Sequence, residues 1–345
     1  MIRVTAPAAP PLAGPAPLPE RPLVSIVIPA LNEEQFITAL LDSLAAQDYP
    51  AADMEVLVAD GGSTDATREL VRGYQHSLRR LELVDNPKRI TVAGLNAGMR
   101  QAHGDCWIII GAHSQVRPDF VRQSVEALRR TGAACVGGPI ETVGRTNTGK
   151  AIAAAMSSPF GVGNARFRYA AGEGDVDTVP FGCYHRLVWD VVGEFDESLD
   201  GADEDSYNAR IIEAGGRIVL VPGIQSTYYP RETLPALSRQ YREYGAAKGV
   251  LLGRGRPLQP RHFVPAAAVL AGSALALLGV RSSRARGLLV RLGAAYAVLG
   301  AVNAHRASRR NGANPILTFA AMATMHASYG IGFIAGAIPE FRRRS

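Results

Sequence analysis

The chain has 345 residues and a formal net charge of +6, with 47% hydrophobic and 20% charged residues. This length and composition suit one sizeable α/β domain with an apolar appendage. The positive charge is compatible with a membrane surface, nucleic acid or phosphorylated substrates, and by itself it selects none of them. The three cysteines form no CxxC pair, which argues against a disulfide framework or a zinc site and favours a reducing compartment.

The N-terminal segment 1–22 is rich in alanine and proline. Its prolines interrupt every apolar run, so we expect no signal peptide. The composition predicts a disordered tail. We therefore expect the domain that follows to remain in the cytosol.

From Leu23 onward, apolar strand patterns alternate with helical patterns. The predicted strands cover 24–29, 55–60, 81–85 and 106–111. Between them, helical spacing of apolar residues covers 33–46, a segment from Thr64, and 91–102. Such alternation predicts a mostly parallel sheet with flanking helices, a Rossmann-like nucleotide-binding half, in which ligands bind at the carboxyl ends of the strands.

Three apolar stretches follow Pro260, at 263–280, 287–304 and 315–338. Their lengths predict two to three transmembrane helices, with 315–338 as the clearest span; buried helices of a soluble domain are the alternative. Arg291 is costly inside the second stretch, so that helix is re-entrant, or its arginine faces protein or snorkels. Gly332 and Gly336 have the GxxxG spacing of close helix packing.

The region 231–262 is predicted to contain an amphipathic helix and a basic linker suited to an anionic membrane interface, with a solvated charged helix face as the alternative. A basic tail, 339–345, ends the chain. Arginines flank every apolar stretch, so the distribution of charge does not fix the topology. The catalytic domain is expected to cover 23–230.

Two segments at the first strand ends carry a resemblance: VSIVIPALNEE (24–34) and VLVADGGSTDAT (56–67). Together they resemble the opening of a family 2 glycosyltransferase of the GT-A type. That resemblance implies that Asp60 accepts hydrogen bonds from the nucleotide base of a sugar donor. It also implies that the first segment contributes donor-binding residues, namely Pro29, Ala30, Asn32 and Glu33. If the resemblance does not hold, Asp60 and Ser63 are only loop and helix-cap residues.

The stretch 85–105 is similar to the part of the family that lines the nucleotide pocket. It implies that Arg89 contacts the donor diphosphate and that Asn96 is a pocket residue. Arginine suits phosphate because its planar fork donates paired hydrogen bonds. A simple loop charge is the alternative for Arg89.

The sequence departs from the family at the expected metal motif. Members commonly have Asp-x-Asp there, and one branch has Asp-Ala-His, whereas this chain has Gly111, Ala112 and His113. The resemblance implies that His113 ligates Mn²⁺ or Mg²⁺, and imidazole suits manganese better. Because Gly111 removes one anionic ligand, a metal-independent enzyme and an inactive relative remain open.

The segment 174–222 resembles the acceptor side of the same family and supplies Gly182 and Arg186 to the acceptor or product region. The resemblance implies that an acidic residue of the 203–205 cluster is the catalytic base, with Glu204 and Asp205 as candidates. We favour Asp205, because the Glu-Asp order then matches the family motif. Alternatively, these carboxylates only suit the positive end of a helix dipole.

The segment 239–245 resembles the family's Gln-x-x-Arg-Trp element, which adds Gln240 and Arg242 to the acceptor region. The segments 157–168 and 326–336 are similar to the branch of succinoglycan-type membrane glucosyltransferases. By contrast, GRTNTGKA (144–151) only approximates a P-loop, since Ala151 replaces the hydroxyl residue that would bind Mg²⁺.

The resemblance therefore implies an inverting transferase that moves a hexose from a nucleotide-diphosphate sugar, a UDP-sugar, to a lipid-linked polyprenyl glycan in extracellular polysaccharide synthesis. Two alternatives stay open, namely transfer to polyprenyl phosphate and a catalytically inactive membrane protein that binds sugar nucleotides. We expect a multi-pass protein of the cell membrane with a cytoplasmic catalytic domain and no nucleic-acid partner.

Overall fold

The computed structural model describes residues 11–14, 17–78, 80–163, 165–169, 172–199, 203–256 and 258–338. The chain divides into two compact units. The first comprises Met1–Ile140 and Ala170–Thr227, and the second comprises Glu141–Tyr169 and Tyr228–Ser345. The second unit therefore takes in residues 141–169, which the sequence analysis assigned to the catalytic domain.

The strands, in chain order, are β1 Val24–Ala30, β2 Met54–Asp60, β3 Leu81–Asp85, β4 Cys106–Ile109, β5 Ser114–Val116, β6 Cys135–Gly137, β7 Ile140–Thr142, β8 Gly174–Asp175, β9 Cys183–His185, β10 Ile218–Leu220 and β11 Ser226–Tyr228. The helices are α1 Ile37–Ala45, α2 Thr67–Gly73, α3 Thr91–Gln101, α4 Phe120–Thr131, α5 Asn147–Met156, α6 Pro159–Val162, α7 Arg186–Val192, α8 Asp203–Glu213, α9 Leu234–Gly253, α10 Phe263–Gly279, α11 Ser283–Asn311 and α12 Pro315–Ala337.

The first unit is built on an eight-stranded sheet in the order β3-β2-β1-β4-β9-β6-β10-β8. Strands β3, β2, β1 and β4 are parallel, as are β6 and β10. Strand β9 lies antiparallel between β4 and β6, and β8 is antiparallel to β10. The predicted mostly parallel α/β sheet is confirmed, with β9 and β8 as additions that simple alternation does not reveal.

The core follows from strands that are apolar on both faces, as expected when helices cover a parallel sheet. Six of the seven residues of β1 and all seven of β2 are buried. Aromatic rings fill the space beside β4 and β9: Trp107 stacks on Tyr184 with ring centres 4.2 Å apart, and Phe195 stacks on Tyr207 at 4.0 Å. This rigid core holds the carboxyl edge of the sheet in place.

Part of the N-terminal segment contacts the first unit. Leu12 is 1% exposed, and its N–H donates to the carbonyl of Ala214 at 3.1 Å. The Tyr49 hydroxyl donates to the carbonyl of Pro22 at 2.6 Å. Disorder was predicted for 1–22, but Leu12 and Pro22 contact the folded domain, because the side chain of Leu12 is buried against it. Residues 1–10 lie outside the described part.

In the second unit, α9 and α12 pack backbone against backbone. An added Cβ at Gly332 or Gly336 would overlap the carbonyl of Arg242 or Ala246 on α9. In return, an added Cβ at Gly245 would overlap the carbonyl of Tyr329 on α12. The close packing predicted from the GxxxG spacing is therefore confirmed, and the partner of α12 is α9.

The amphipathic helix predicted in 231–262 corresponds to α9, and part of its apolar side contacts protein. Leu237 and Tyr241, on its apolar side, are 0% and 9% exposed within the protein. Ser238 and Ser328 form a hydrogen bond of 2.8 Å that joins α9 to α12. The apolar side of α9 is thus covered by protein at these positions, whereas Tyr244 remains 37% exposed.

Among the described residues, three helices are long and apolar enough to cross a membrane, at Pro260–Gly279, Ser283–Asn311 and Pro315–Ala337, with mean hydropathies of 1.7, 1.5 and 1.2. In the first two helices, only 11% of the 18-residue apolar stretch is buried inside the protein, against 44% in the third. Sequence inspection ranked 315–338 as the clearest span, but of the three helices this one has the lowest hydropathy and the most protein contact. Its contact with protein is extensive because α9 packs against it.

Arg291 lies within α11, which is one unbroken helix of 29 residues. A re-entrant loop within this helix is therefore excluded. The side chain is exposed and its Nε donates to the carbonyl of Gly287, one turn towards the N-terminus, at 3.0 Å. Of the three interpretations, snorkelling agrees with this geometry, because the guanidinium bends towards the helix end.

Candidate donor-binding and catalytic site

The ends of three parallel strands meet at one edge of the sheet. Ala30 of β1 is in register with Asp60 of β2, which is in register with Asp85 of β3. The Asp60 side chain has no exposed surface, and it accepts hydrogen bonds from the N–H of Gly62 at 3.0 Å and of Ser63 at 3.1 Å. Gly62 has a φ of +73°, which lets the loop turn back over the carboxylate.

Arg68, in the first turn of α2, supplies the positive charge at this edge. Its Nη1 lies 2.7 Å from Asp60 Oδ2, and its guanidinium also contacts Asp85 at 3.2 Å. Burial by itself raises the pKa of Asp60, but the hydrogen bonds from Ser63, Arg68 and Gly62 outweigh it and lower that pKa below the usual value. Asp60 is therefore ionised and fixed in orientation. Sequence reasoning missed Arg68, although an arginine eight residues after a strand-end aspartate is a signal for such a pair.

The loop after β1 is tied to the loop after β2. The Asn32 N–H donates to Ser63 Oγ at 2.9 Å, and the Thr64 N–H donates to Asn32 Oδ1 at 2.9 Å. The Glu33 N–H donates to Thr67 Oγ1 at 2.8 Å. Through these bonds the structure brings together most of the residues expected to bind the donor: Pro29, Ala30, Asn32, Glu33 and Asp60.

Arg89 belongs to the same group, whereas Asn96 does not. Arg89 has a φ of 60°, and its Cα lies 3.4 Å from the position of an added Cβ at Gly61, so it lies next to the glycine loop. Asn96 is 0% exposed, and its amide exchanges hydrogen bonds of 2.9 and 3.0 Å with the backbone of Phe195. Asn96 thus fixes the 195–197 segment from within the core and lines no open pocket.

His113 lies beside Glu33, with 3.4 Å between Nδ1 and Oε1. Both side chains are partly exposed, 28% for His113 and 21% for Glu33. Within the described residues, no group of three histidine, cysteine or acidic side chains is placed to hold a metal ion. The pair therefore fits a divalent cation only when donor phosphates complete the ligand set, as is usual for Mg²⁺ at phosphate sites.

Gly111 precedes His113 at the end of β4, where family members carry an aspartate. An added Cβ at Gly111 would meet only Phe181 and Ser114, at ordinary contact distances of 3.7 Å. The backbone therefore has room for a side chain at this position. The missing carboxylate is a feature of the sequence and is not imposed by packing.

Glu204 and Asp205 lie in the first turn of α8. Burial raises the pKa of Cys135 well above its usual value, a hydrogen bond with Tyr184 lowers it, and the Glu204 carboxylate adds to the rise. Asp205 is the next residue, about 100° around the helix. Asn208 anchors α8 through Tyr184 and Thr178, at 3.3 and 3.0 Å, so the first turn of this helix is held at a fixed orientation.

Gly182 and Arg186 flank β9 and therefore lie at opposite edges of the sheet. Because β9 runs antiparallel to β4, Gly182 is the one at the carboxyl edge. The Gly182 carbonyl accepts from the Ile109 N–H at 3.2 Å, which places Gly182 at the carboxyl edge. Arg186 donates from its backbone N–H to the carbonyl of Asp105 at 3.0 Å, and from Nη1 to that of Ala102 at 3.1 Å. The structure thus does not bring Arg186 to the edge that carries Asp60.

Gln240 and Arg242 lie on α9 in the second unit. Gln240 is 8% exposed and donates from Nε2 to the hydroxyls of Tyr228 and Tyr244, at 3.1 and 3.0 Å. Arg242 is exposed. Tyr244, which also lies in the 239–245 element, therefore contacts the glutamine of the same element.

The P-loop-like segment 144–151 forms the start of α5. Glu232 Oε1 accepts from the Arg145 N–H at 2.8 Å, and Oε2 accepts from the Thr146 N–H at 2.9 Å. An added Cβ at Gly149 would overlap this carboxylate. The place that a phosphate takes in a P-loop is thus filled by a side chain of the protein itself.

Comparison with known proteins agrees with this architecture. The family model for glycosyl transferase family 2 matches residues 25–185. Succinoglycan biosynthesis protein ExoA of Rhizobium meliloti (strain 1021) is 33% identical over 324 residues, covering 92% of this chain and 96% of that protein. A dolichyl N-acetyl-α-D-glucosaminyl phosphate 3-β-D-2,3-diacetamido-2,3-dideoxy-β-D-glucuronosyltransferase of Methanococcus voltae is 32% identical over 240 residues, 67% of this chain and 74% of that protein.

Among solved structures, the mannosyltransferase PcManGT from Pyrobaculum calidifontis, in complex with GDP-Man and Mn²⁺, is similar in fold. The TM-score is 0.64 at 22% identity, and the match covers 93% of this chain and 89% of that one. This likeness shows the GT-A fold. With the match to ExoA over nearly the full length of both chains, it follows that the chain belongs to glycosyl transferase family 2 and is a glycosyltransferase.

Proposed function

We propose that the protein transfers a hexose from a UDP-sugar to a lipid-linked glycan on the cytoplasmic side of the cell membrane, as a step in the synthesis of an extracellular polysaccharide. The observation that carries this proposal is the buried, ionised Asp60 at the carboxyl edge of the sheet, beside a glycine loop and Arg89. A fixed carboxylate at this edge is suited to accept a hydrogen bond from the N–H of a nucleotide base.

Two relatives support the class of acceptor. The Methanococcus voltae relative is named for transfer to a sugar carried on a dolichyl phosphate, and ExoA is named for succinoglycan biosynthesis. The three apolar helices of this chain fit an enzyme that acts beside a membrane. We therefore propose a multi-pass arrangement that holds the catalytic unit near a lipid-borne substrate.

In the proposed reaction, Asp205 removes the proton from an acceptor hydroxyl, which attacks the anomeric carbon of the donor and inverts its configuration. Base catalysis of this kind contributes about 10²–10⁴-fold to rate. Arg89, next to the glycine loop, binds the donor diphosphate. Gly182, at the carboxyl edge, and Gln240 and Arg242, on α9, belong to the acceptor or product region in this proposal.

A divalent cation, when held by His113 and Glu33 together with the donor diphosphate, would neutralise charge on the leaving group. Mn²⁺ suits this mixed imidazole and carboxylate pair better than Mg²⁺. Arg89 provides positive charge to the same group from the protein itself. The balance between the two is tested by turnover with and without a chelator.

The test of the proposed function uses membranes that contain the full chain. They are incubated with a panel of labelled sugar nucleotides, with and without EDTA, and the lipids are extracted. A labelled oligosaccharide lipid from a UDP-sugar supports the proposal. A labelled monosaccharide phospholipid would instead identify polyprenyl phosphate as the acceptor, and donor binding without any labelled lipid would identify an inactive binding protein.

The assignment of the base is tested by paired variants of adjacent residues. Asp205→Asn should lower turnover by about 10²–10⁴-fold while donor affinity is kept. Glu204→Gln is the matched control, since Glu204 is the neighbouring carboxylate on the same helix and the other candidate for the base. If Asp205→Asn keeps the wild-type rate, or if Glu204→Gln loses as much, the base has been assigned to the wrong residue.

A further inference from the structure

The second unit contains a cluster of polar and aromatic side chains, of which only Gln240 has a place in the proposed reaction. Arg168 is its only charged member among the described residues, and its Nη1 donates to Thr142 Oγ1 at 3.2 Å. The guanidinium lies 5.3 Å from the ring centre of Phe167 and 5.8 Å from that of Tyr228. We call this group, with Gln240 and Tyr244, the Arg168 cluster.

Gln240 connects the arginine side of the cluster to α9. Its Nε2 donates to the hydroxyl of Tyr228, whose ring faces Arg168, and to that of Tyr244. Tyr244 is 37% exposed, so the cluster reaches the surface of the unit. Tyrosine hydroxyls and an arginine fork are donors that suit phosphate oxygens.

Two features indicate that the cluster is incomplete by itself. Within the described residues, the Arg168 guanidinium forms no ion pair with a carboxylate, and Thr142 is its hydrogen-bond partner. The Oε1 atom of Gln240 is buried and has no hydrogen-bond partner in the same set of residues. A buried, unsatisfied amide oxygen is unfavourable, and it is relieved by a ligand that carries a donor.

The chemistry of the cluster selects an anion that also carries a hydroxyl group. Arginine without a carboxylate partner attracts a phosphoryl group, and the orphan Oε1 accepts from a hydroxyl such as that of a sugar. Aromatic faces at Tyr228 and Tyr244 suit the apolar side of a sugar or the first carbons of an isoprenoid. A lipid-linked sugar diphosphate has all three parts.

We propose that the Arg168 cluster binds the phosphoryl group of the lipid-linked acceptor. The proposal rests on the proposed function, in which the acceptor is lipid-linked, and it assigns to Arg168, Thr142 and Tyr228 a role that the donor site does not provide. It fits the position of α9, which packs against the apolar helix α12 in the same unit through Gly245 and Gly332.

The experiment measures binding to the full chain in detergent, without turnover. The probes are farnesyl diphosphate, farnesol and UDP, titrated calorimetrically into wild type, Arg168→Gln and Arg145→Gln. Arg145 is the matched control, because it is an exposed arginine of the same unit whose guanidinium lies over Tyr229. Arg168→Lys keeps the charge and removes the fork.

We expect Arg168→Gln to weaken farnesyl diphosphate binding roughly 10- to 150-fold, the value of a hydrogen bond between charged groups. Arg145→Gln should change it less than about twofold, farnesol should bind weakly to every variant, and UDP affinity should stay constant. The affinity of Arg168→Lys for farnesyl diphosphate should lie between those of wild type and Arg168→Gln. This intermediate affinity would also show that the unit is folded.

Three results would overturn the proposal. The first is unchanged farnesyl diphosphate binding in Arg168→Gln, and the second is an equal loss in both glutamine variants, which would indicate only diffuse charge. The third is loss of UDP binding in Arg168→Gln, which would assign Arg168 to the donor. Because no sugar transfer is measured, a failure of the proposed function and a failure of this inference can be told apart.

Discussion

The contact between α9 and α12 gives a prediction whose size follows from the structure. In Gly332→Ala, the new Cβ would overlap the Arg242 carbonyl oxygen and lie 2.8 Å from its carbonyl carbon. Carbon atoms pack at about 3.5–4.0 Å, so the two helices must separate locally by about 1 Å. Overpacking of this kind costs about 1–3 kcal/mol in free energy of unfolding.

The matched control is Gly293→Ala on α11, where nothing lies within 4 Å of an added Cβ. Both variants gain the same helix propensity, about 0.5–1 kcal/mol, because both glycines lie inside a helix. The difference between the two variants therefore isolates the steric cost at Gly332. We expect Gly293→Ala to be neutral or stabilising and Gly332→Ala to be destabilising.

The assay is thermal unfolding of the full chain in detergent, followed by the helical circular dichroism signal or by loss of soluble protein. Gly336→Ala, which would overlap the Ala246 carbonyl, should behave like Gly332→Ala. If Gly332→Ala and Gly293→Ala unfold at the same temperature, then α9 does not lie against α12 as described. The second unit would then not be built on a close contact between these two helices.

Three more predictions concern charges. Glu232→Gln should destabilise the second unit by about 1 kcal/mol, because two backbone N–H groups lose an anionic acceptor that is partly screened by solvent. Burial raises the pKa of Glu232, but hydrogen bonds from Thr146 and Arg145 outweigh burial and lower this pKa below its ordinary value. The stabilisation is therefore full above the ordinary glutamate pKa of about 4.3, and it is lost as the pH falls through the lowered value. The unfolding curves of wild type and variant should converge in acid. Gly111→Asp should increase Mn²⁺ affinity, measured by titration in the presence of UDP, because a Cβ fits there and adds an anionic ligand near His113; unchanged affinity would contradict a metal role for this position. Arg68→Gln should raise the pKa of Asp60 and move the acid limit of UDP binding to higher pH, measured by titrations between pH 3 and 7, about the range in which carboxylates titrate; an unmoved limit would show that Arg68 does not control Asp60.

The strands of the first half of the sheet could be predicted because each is an unbroken apolar run bounded by turn residues. VSIVIP and EVLVAD, for instance, fall within β1 and β2. The placement of β9 could not be predicted, since it depends on pairing with strands about 50 to 80 residues earlier in the chain. Gly182 and Arg186 lie at the two ends of this strand, which is why they reach opposite edges of the sheet although they are close in sequence.

The positions of Asp60 and Asn32 could be predicted better than that of Asn96, for a physical reason. Asp60 ends β2 and Asn32 lies two residues after β1, so their position is set by local sequence and by the edge rule for parallel sheets. Asn96 lies inside α3, and whether it faces a ligand or the core depends on Phe195, which is far away in the sequence. Polar residues inside helices therefore need tertiary contacts before a role can be assigned to them.

The P-loop-like segment and the apolar helices show that residues distant in sequence can belong to one compact unit. The sequence analysis expected a catalytic domain over 23–230, a range that includes 141–169. In the structure this segment folds with the unit that contains α9 to α12, and Glu232 holds its first helix by the N-terminus. The apolar helices are consequently part of a folded body built from two separate stretches of chain, and not an appendage to a finished domain. A change that weakens this body, at Glu232 or at Gly332, is therefore expected to disturb Gln240 and Arg168, which it carries, without altering Asp60.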